Sequence, residues 1–243
     1  MVKGKFFENT FSDDVGKMLT LEPVDRNSFN PMSPDTASDG VLEKRWKIIN
    51  EKRVLVKGST GPYHQEPLNE KIANILIASV GVNHVTYDIE WNGSKPYSLC
   101  ETFINVNTEL VHAGQMALLE SYSYDDCPYE HFIKVCENQN IEDIQQRLNE
   151  MMVLDFIIDN RDRHFKNFGL IRNVETLKWK GFAPIYDSGT SLWCGDLIPG
   201  KKLDWHSTTF NKKTNADQLN LITDFSWVRS TSTSRIFFDR AGT

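Results

Sequence analysis

The run Asp162-Arg-His-Phe-Lys-Asn167, lodged between an apolar stretch and Phe168-Gly169, constrains this chain more than any other feature. Asp162 precedes Asn167 by five positions, with His164 and Lys166 between them. A second polar interruption follows at Tyr186-Asp187-Ser-Gly189, where a lone carboxylate closes an apolar, strand-like run. A hairpin with strands over 168–172 and 182–186 is predicted between the two. It would bring Asn167 and Asp187 to adjacent strand ends, within reach of one ion.

This set of groups suits phosphoryl transfer. One carboxylate orients or deprotonates a hydroxyl, while an amide and a second carboxylate hold magnesium against phosphates. Mg2+ prefers oxygen ligands and keeps several waters, so one Asp, one Asn and a nucleotide's own oxygens suffice chemically. A plainer reading exists: Asp155, Asp159 and Asp162 have helical spacing and could form one polar face. Like charges on one face repel, and acids at a helix end oppose its dipole, so Arg161 and Arg163 would be needed as an offset. That cost favours a site at Asp162. His164 reads as a hydrogen-bonding brace; Lys166 either meets the transferring phosphoryl group or faces water. Asp187 is either a metal ligand or a turn-forming residue. A metallohydrolase is the weaker alternative. Asp162-Arg-His164 is a D-x-H triplet, yet such centres usually collect several histidines, and the other five lie in unrelated settings.

Upstream, Ser38-Asp-Gly40 and Asn50-Glu-Lys52 are turn-like, and 46–49 and 54–57 are strand-like. Lys57 ends this hairpin and, alternating with Leu55, is expected to point away from one apolar face. A helix follows, with Pro67 in its first turn, an apolar face of Ile72, Ala73, Ile75, Leu76 and Ser79, and Gly81 at its end. Glu70 favours the dipole of that helix, or pairs with Lys57 to hold it toward phosphates. Strands over 85–91 and 97–103 flank the hairpin turn Asn92-Gly93-Ser94. From Thr108 onward helices are expected over 111–122, 129–137 and 141–158, the last largely buried. A further helix is expected over 217–227. Phe6, Phe7, Phe11, Met18 and Leu21 are expected to make a short packed segment, and the prolines after it read as a loop.

A chain of 243 residues can bury one generous core or two lobes. Its net charge of −6 argues against broad nucleic-acid binding, which relies on dense positive charge. Four cysteines without a C-x-x-C pair read as reduced, packed thiols. The start lacks an apolar leader and no stretch is long enough to span a bilayer, so a cytoplasmic protein without a membrane anchor is expected.

Asp162-Arg-His-Phe-Lys-Asn167 and Tyr186-Asp187-Ser-Gly189 resemble the catalytic and metal-binding motifs of the HipA-like serine/threonine kinases. Ser38 to Trp46, the strand ending on Lys57, and Asn69-Glu70 look like that family's phosphate loop, ATP lysine and helix glutamate. The match covers about residues 36–227. It implies an α+β, two-lobed, protein-kinase-like fold with ATP between the lobes. The small antiparallel-sheet N-lobe would span 36–106 and the mainly helical C-lobe 107–243, after an extension over 1–35. By this similarity Asp162 is the catalytic base, and Asn167 and Asp187 are the magnesium ligands; His164 and Lys166, from the reading of the loop itself, are counted beside Asp162 as candidate catalytic residues. Lys57, supported by Glu70, meets phosphates together with the loop of Ser38 and Gly40. Backbone atoms near Glu101 and Phe103 meet adenine.

The acceptor implied is a serine or threonine hydroxyl on protein, or a small-molecule hydroxyl. Thr36 or Ser38 would correspond to the autophosphorylated loop serine of HipA-type toxins. The toxin's N-terminal region, which meets its DNA-binding antitoxin, finds no room here, so an antitoxin partner is not expected. G-x-G-x-x-G, H-R-D and D-F-G are all missing. Residues 230–243 have no apolar period and read as a truncated or frame-shifted end.

Overall fold

Asn50 and Glu51 both take left-handed backbone angles (φ 49° and 64°), the geometry of a two-residue hairpin loop. They join β1 (Lys44–Ile49) to β2 (Lys52–Lys57) in the computed structural model. That model describes residues 7–8, 11, 43–60, 63–123, 126–195, 208–210 and 212–223. Ser38, Gly40, Thr36 and the expected end of the last helix lie outside them. A second hairpin, turned at Gly93 (φ 60°), joins β3 (Tyr87–Asn92) to β4 (Lys95–Glu101). β2 pairs antiparallel with β4, which gives a four-stranded sheet in the order β1-β2-β4-β3.

α1 (Gln65–Ser79) crosses this sheet and packs on β3 and β4; Gly81 (φ 73°) lies just past its end, as expected. Its buried face differs from the apolar stripe read in the sequence. Ile72 and Ile75 are exposed, whereas Glu66, Asn69, Glu70 and Asn74 are buried beside Ala73 and Ile77. Tertiary partners account for this, because the helix turns its polar face to charged groups of other elements. Lys57 also departs from its expected orientation. Residues two apart in a strand share a face, and both Leu55 and Lys57 lie toward Tyr87.

The remaining described chain forms a larger core. β5 (Thr108–His112), β6 (Gly169–Asn173) and β7 (Trp179–Phe182) make a three-stranded antiparallel sheet. α2 (Ala113–Ala117), α3 (Pro128–Asn138), α4 (Ile144–Ile157) and α5 (Asn215–Leu219) complete this part. Phe132, Leu148, Met151, Met152, Phe168 and Leu170 lie at its centre. The helix expected over 111–122 is therefore a strand end followed by a short helix. Its first residues pair with β6, a partner about sixty positions away that leaves no local signal. The start of β6 lies so close to β5 that a Cβ on Gly169 would sit 2.3 Å from the Val111 carbonyl oxygen. α5 is likewise shorter than its expectation.

The strand predicted over 182–186 is displaced. β7 stops at Phe182, and the chain then leaves β6 to pair with the segment after α1. Ile185 N–H donates to Asn83 O (3.0 Å), and Val85 N–H donates to Ile185 O (2.9 Å). This crossing carries Asp187 to the edge of the first sheet. At the other end, Phe11 is buried and stacks on Trp46 (6.2 Å between centroids), while the Arg53 guanidinium lies 5.4 Å from the Phe7 ring. Among the described residues no helix is long and apolar enough to cross a membrane.

Candidate active site

Lys57 is the last residue of β2, and its ammonium is buried between two acids. Nζ donates to Glu70 Oε1 of α1 and to Asp187 Oδ1 at 2.8 Å. Ser98 Oγ, from the residue opposite Lys57 on β4, donates to the other Glu70 oxygen. Burial opposes the Lys57 charge, but Asp187 and Glu70 outweigh it and hold the ammonium well above its ordinary pKa. Burial also works to raise Asp187; the charge and hydrogen bond of Lys57, with Arg163 behind, keep that carboxyl below its usual value. For Glu70 burial wins, and its carboxyl is raised despite Lys57. Asp187 is the more exposed of the two acids (side chain 38% against 2%).

The loop after α4 supplies the remaining groups. α4 ends at Ile157, and Asp159 takes a left-handed φ of 49°, so Asp155, Asp159 and Asp162 do not share one helix face. Each of the first two acids receives its own arginine. Arg161 pairs with Asp159 (2.8 Å), and fully buried Arg163 pairs with Asp155 (2.9 Å). Asp162 is left half-exposed beside His164, whose Nε2 lies 3.9 Å from its carboxylate. Burial raises the Asp162 carboxyl; His164 opposes that, Asp187 adds to it, and Arg163 opposes again.

His164 makes hydrogen bonds within the loop. Its Nδ1 accepts from Lys166 N–H (3.2 Å), and its carbonyl accepts from Asn167 N–H (2.8 Å). Asn167 Nδ2 donates to the Asp162 carbonyl at 2.8 Å, which leaves the amide oxygen for another partner. Lys166 is exposed, and its carbonyl accepts from the Tyr186 hydroxyl (3.0 Å). Glu101 directs its carboxylate to Lys52 (2.8 Å), and the adjacent Thr102 N–H is taken by Arg53 O. Phe103 stacks on Tyr186 with ring centroids 5.5 Å apart, beside the small cluster of Val85, Tyr87 and Cys100.

Several residues that assemble this region had no separable signal in the sequence. Arg163 Nη1 donates to both Asn167 O (2.7 Å) and Tyr186 O (2.6 Å), so one guanidinium ties the Asp162 loop to the Asp187 segment. Asn69 Nδ2 donates to Gly189 O (3.1 Å) and Ser191 O (2.6 Å), fastening α1 to the residues after Asp187. Gly189 makes that approach possible: a Cβ there would stand 3.2 Å from Glu66 Cβ. The need for Arg161 and Arg163 to offset the three acids of 155–163 was the available hint for Arg163.

An antiparallel sheet crossed by one helix, joined at a lysine–acid cluster to a part of mixed helices and antiparallel strands, is a kinase-like fold. It is similar to the crystal structure of the Helicobacter pylori proinflammatory kinase CtkA (TM-score 0.53, 22% identity, covering 62% of this chain and 55% of that one). A second similarity is to HipA in the Shewanella oneidensis MR-1 complex of HipA, HipB and operator DNA (TM-score 0.47, 15% identity, 71% and 48% covered). The chain thus spans about half the length of these solved structures. No curated protein sequence matches it. The family model of the HipA-like C-terminal domain matches residues 38–239, and the chain belongs to that family.

Proposed function

We propose that this chain is an ATP- and Mg2+-dependent phosphotransferase of the HipA-like type, acting on serine or threonine hydroxyls of protein, its own included. In this reading residues 36–106 and 107–243 are two lobes with ATP between them, in a cytoplasmic protein. The observation that carries it is the buried Lys57 ammonium shared by Glu70 and Asp187, with Asp162 and Asn167 held to the same segment through Arg163.

The donor set fits a hard cation. The Asn167 amide oxygen and an Asp187 carboxylate oxygen are of the type Mg2+ prefers, and nucleotide oxygens and water would complete it. When bound, the ion would neutralise charge on the phosphates. The chain's own groups do the rest. Lys57 holds phosphate oxygens with its ammonium, and Glu70 and Ser98 keep that ammonium in place. Asp162 accepts the proton of the attacking hydroxyl at its carboxylate, and burial makes it a stronger base than an ordinary aspartate. His164 braces the loop that carries it. Phe103 and the backbone near Glu101 contact the base.

The test is incubation of the full chain with labelled ATP and Mg2+, followed by mass spectrometry of the chain and of added protein. Phosphate on serine or threonine is expected, with loss on adding EDTA. Asp162→Ala and Asp187→Ala should each abolish transfer while the protein stays folded; unchanged transfer in both removes the mechanism. Nucleotide binding without transfer would instead mark an inactive binding module, and transfer only to small-molecule or lipid hydroxyls would correct the acceptor.

A further inference from the structure

Tyr87, the first residue of β3, reaches across 100 positions of chain to accept a hydrogen bond from the Asp187 backbone N–H (3.0 Å). We propose that Tyr87 is a positioning residue for the Asp187 carboxylate, fixing the backbone from which that side chain reaches Lys57 and the ion site. The role rests on the phosphotransferase reading above.

Asp187 has a φ of 57°, a left-handed conformation that a non-glycine residue adopts at a cost and keeps only when its surroundings hold it. The Tyr87 oxygen is one such restraint, and it is itself held on every side. Tyr87 is 4% exposed. Its N–H donates to Asn74 Oδ1 of α1 (3.1 Å), and its carbonyl accepts from Lys71 Nζ (2.6 Å). Cys100, the residue opposite it on β4, lies in the same small apolar cluster. The ring lies 5.9 Å from the Lys57 ammonium. One side chain therefore touches the first sheet, the buried lysine and the Asp187 segment, and its backbone is tied to α1.

A phenylalanine would fill the same space without burying a hydroxyl, and a buried hydroxyl costs stability unless it is bonded. Here the oxygen accepts from the Asp187 N–H. Burial, with the Glu70 charge adding to it, keeps the phenol well above its usual pKa, so the group stays protonated throughout the working range. Partners behind a ligating carboxylate set its orientation, and losing one typically costs about 10–100-fold in metal affinity or activity.

The variant that tests this is Tyr87→Phe in the full chain, with Mg2+ titrated against thermal stabilisation by ATP and against phosphate transfer. Expected are near-parental melting without ligands, unchanged binding of metal-free ATP, and a Mg2+ midpoint raised about 10–100-fold. A midpoint equal to the parent's, where the parent responds to Mg2+, would show that Tyr87 only fills space. A parent with no Mg2+ response would bring down the phosphotransferase reading and this role together. Amide exchange in the unaltered chain gives a measure that needs no variant: Asp187 N–H should exchange slowly, and exchange at an open-loop rate overturns the proposal.

Discussion

Lys57 Nζ stands 2.8 Å from Asp187 Oδ1 although the two residues lie 130 positions apart, and the same ammonium also bonds Glu70. A strand end, a helix and an irregular loop are thus pinned together by one cation whose side chain is 8% exposed. An approaching phosphate would compete with Asp187 for that cation, which frees the carboxylate for an ion.

Removing the cation should separate stability from activity. Lys57→Met leaves Glu70 buried without its partner, a type of loss that costs about 3–5 kcal/mol. Replacing both, Lys57→Met with Glu70→Gln, should recover much of that loss, because no uncompensated charge is then buried. Neither variant should regain phosphate transfer, which is expected to fall by about 100-fold or more when a charge-stabilising donor is lost. Urea melts and labelled-ATP assays on the three proteins check this; a double variant no more stable than the single one would contradict it.

Acid pH should act on the two aspartates in opposite ways. The Asp187 carboxyl is held below its ordinary value, so its contribution to stability is full above that value and is lost as pH falls through the lower folded one. The stability gap between the parent and Asp187→Asn should therefore be wider at neutral pH than in strong acid. Asp162 is raised, so the acid limb of the transfer rate should lie above the ordinary aspartate range. His164 opposes that rise, and His164→Ala should move the limb to still higher pH. Rate profiles and melts across pH test both directions; a limb shifted downward in His164→Ala would reverse the assignment.

Arg163 should prove more sensitive than its neighbour Lys166. Arg163 is fully buried, and its loss strands the Asp155 carboxylate and frees the carbonyls of Asn167 and Tyr186. Arg163→Met is expected to cost about 3–5 kcal/mol. Adding Asp155→Leu should return part of the stability while transfer stays low, since the two loops remain untied. Denaturant midpoints and turnover for the pair provide the measurement. Full recovery of turnover in the double variant would mean that the guanidinium only neutralises Asp155.

Much of this arrangement was legible along the chain because it is written in short-range chemistry. Asn50-Glu51 and Gly93 supply the backbone angles that hairpin loops need, and both hairpins form at those positions. Gly81 follows α1. The resemblance of the Asp162 and Asp187 motifs is matched by membership of the HipA-like C-terminal domain family. β5 was misread because Val111 and His112 run straight into α2, and the strand exists only through pairing with β6. The face of α1 was misjudged for a related reason. Its Glu70 and Asn69 are buried by partners on β2, β4 and the segment after Asp187, which outweigh the local preference to sink Ile72 and Ile75.

Residue type and spacing alone determined the two hairpins of the first sheet and the longer helices, because backbone preference acts within a few positions. Tertiary structure decided which partner each charge took: Lys57 with Asp187 as well as Glu70, Arg163 with Asp155, and the Tyr87 hydroxyl with the Asp187 amide. Those choices depend on distances set by packing between elements far apart in the chain, and in a buried site such distances govern both charge and orientation.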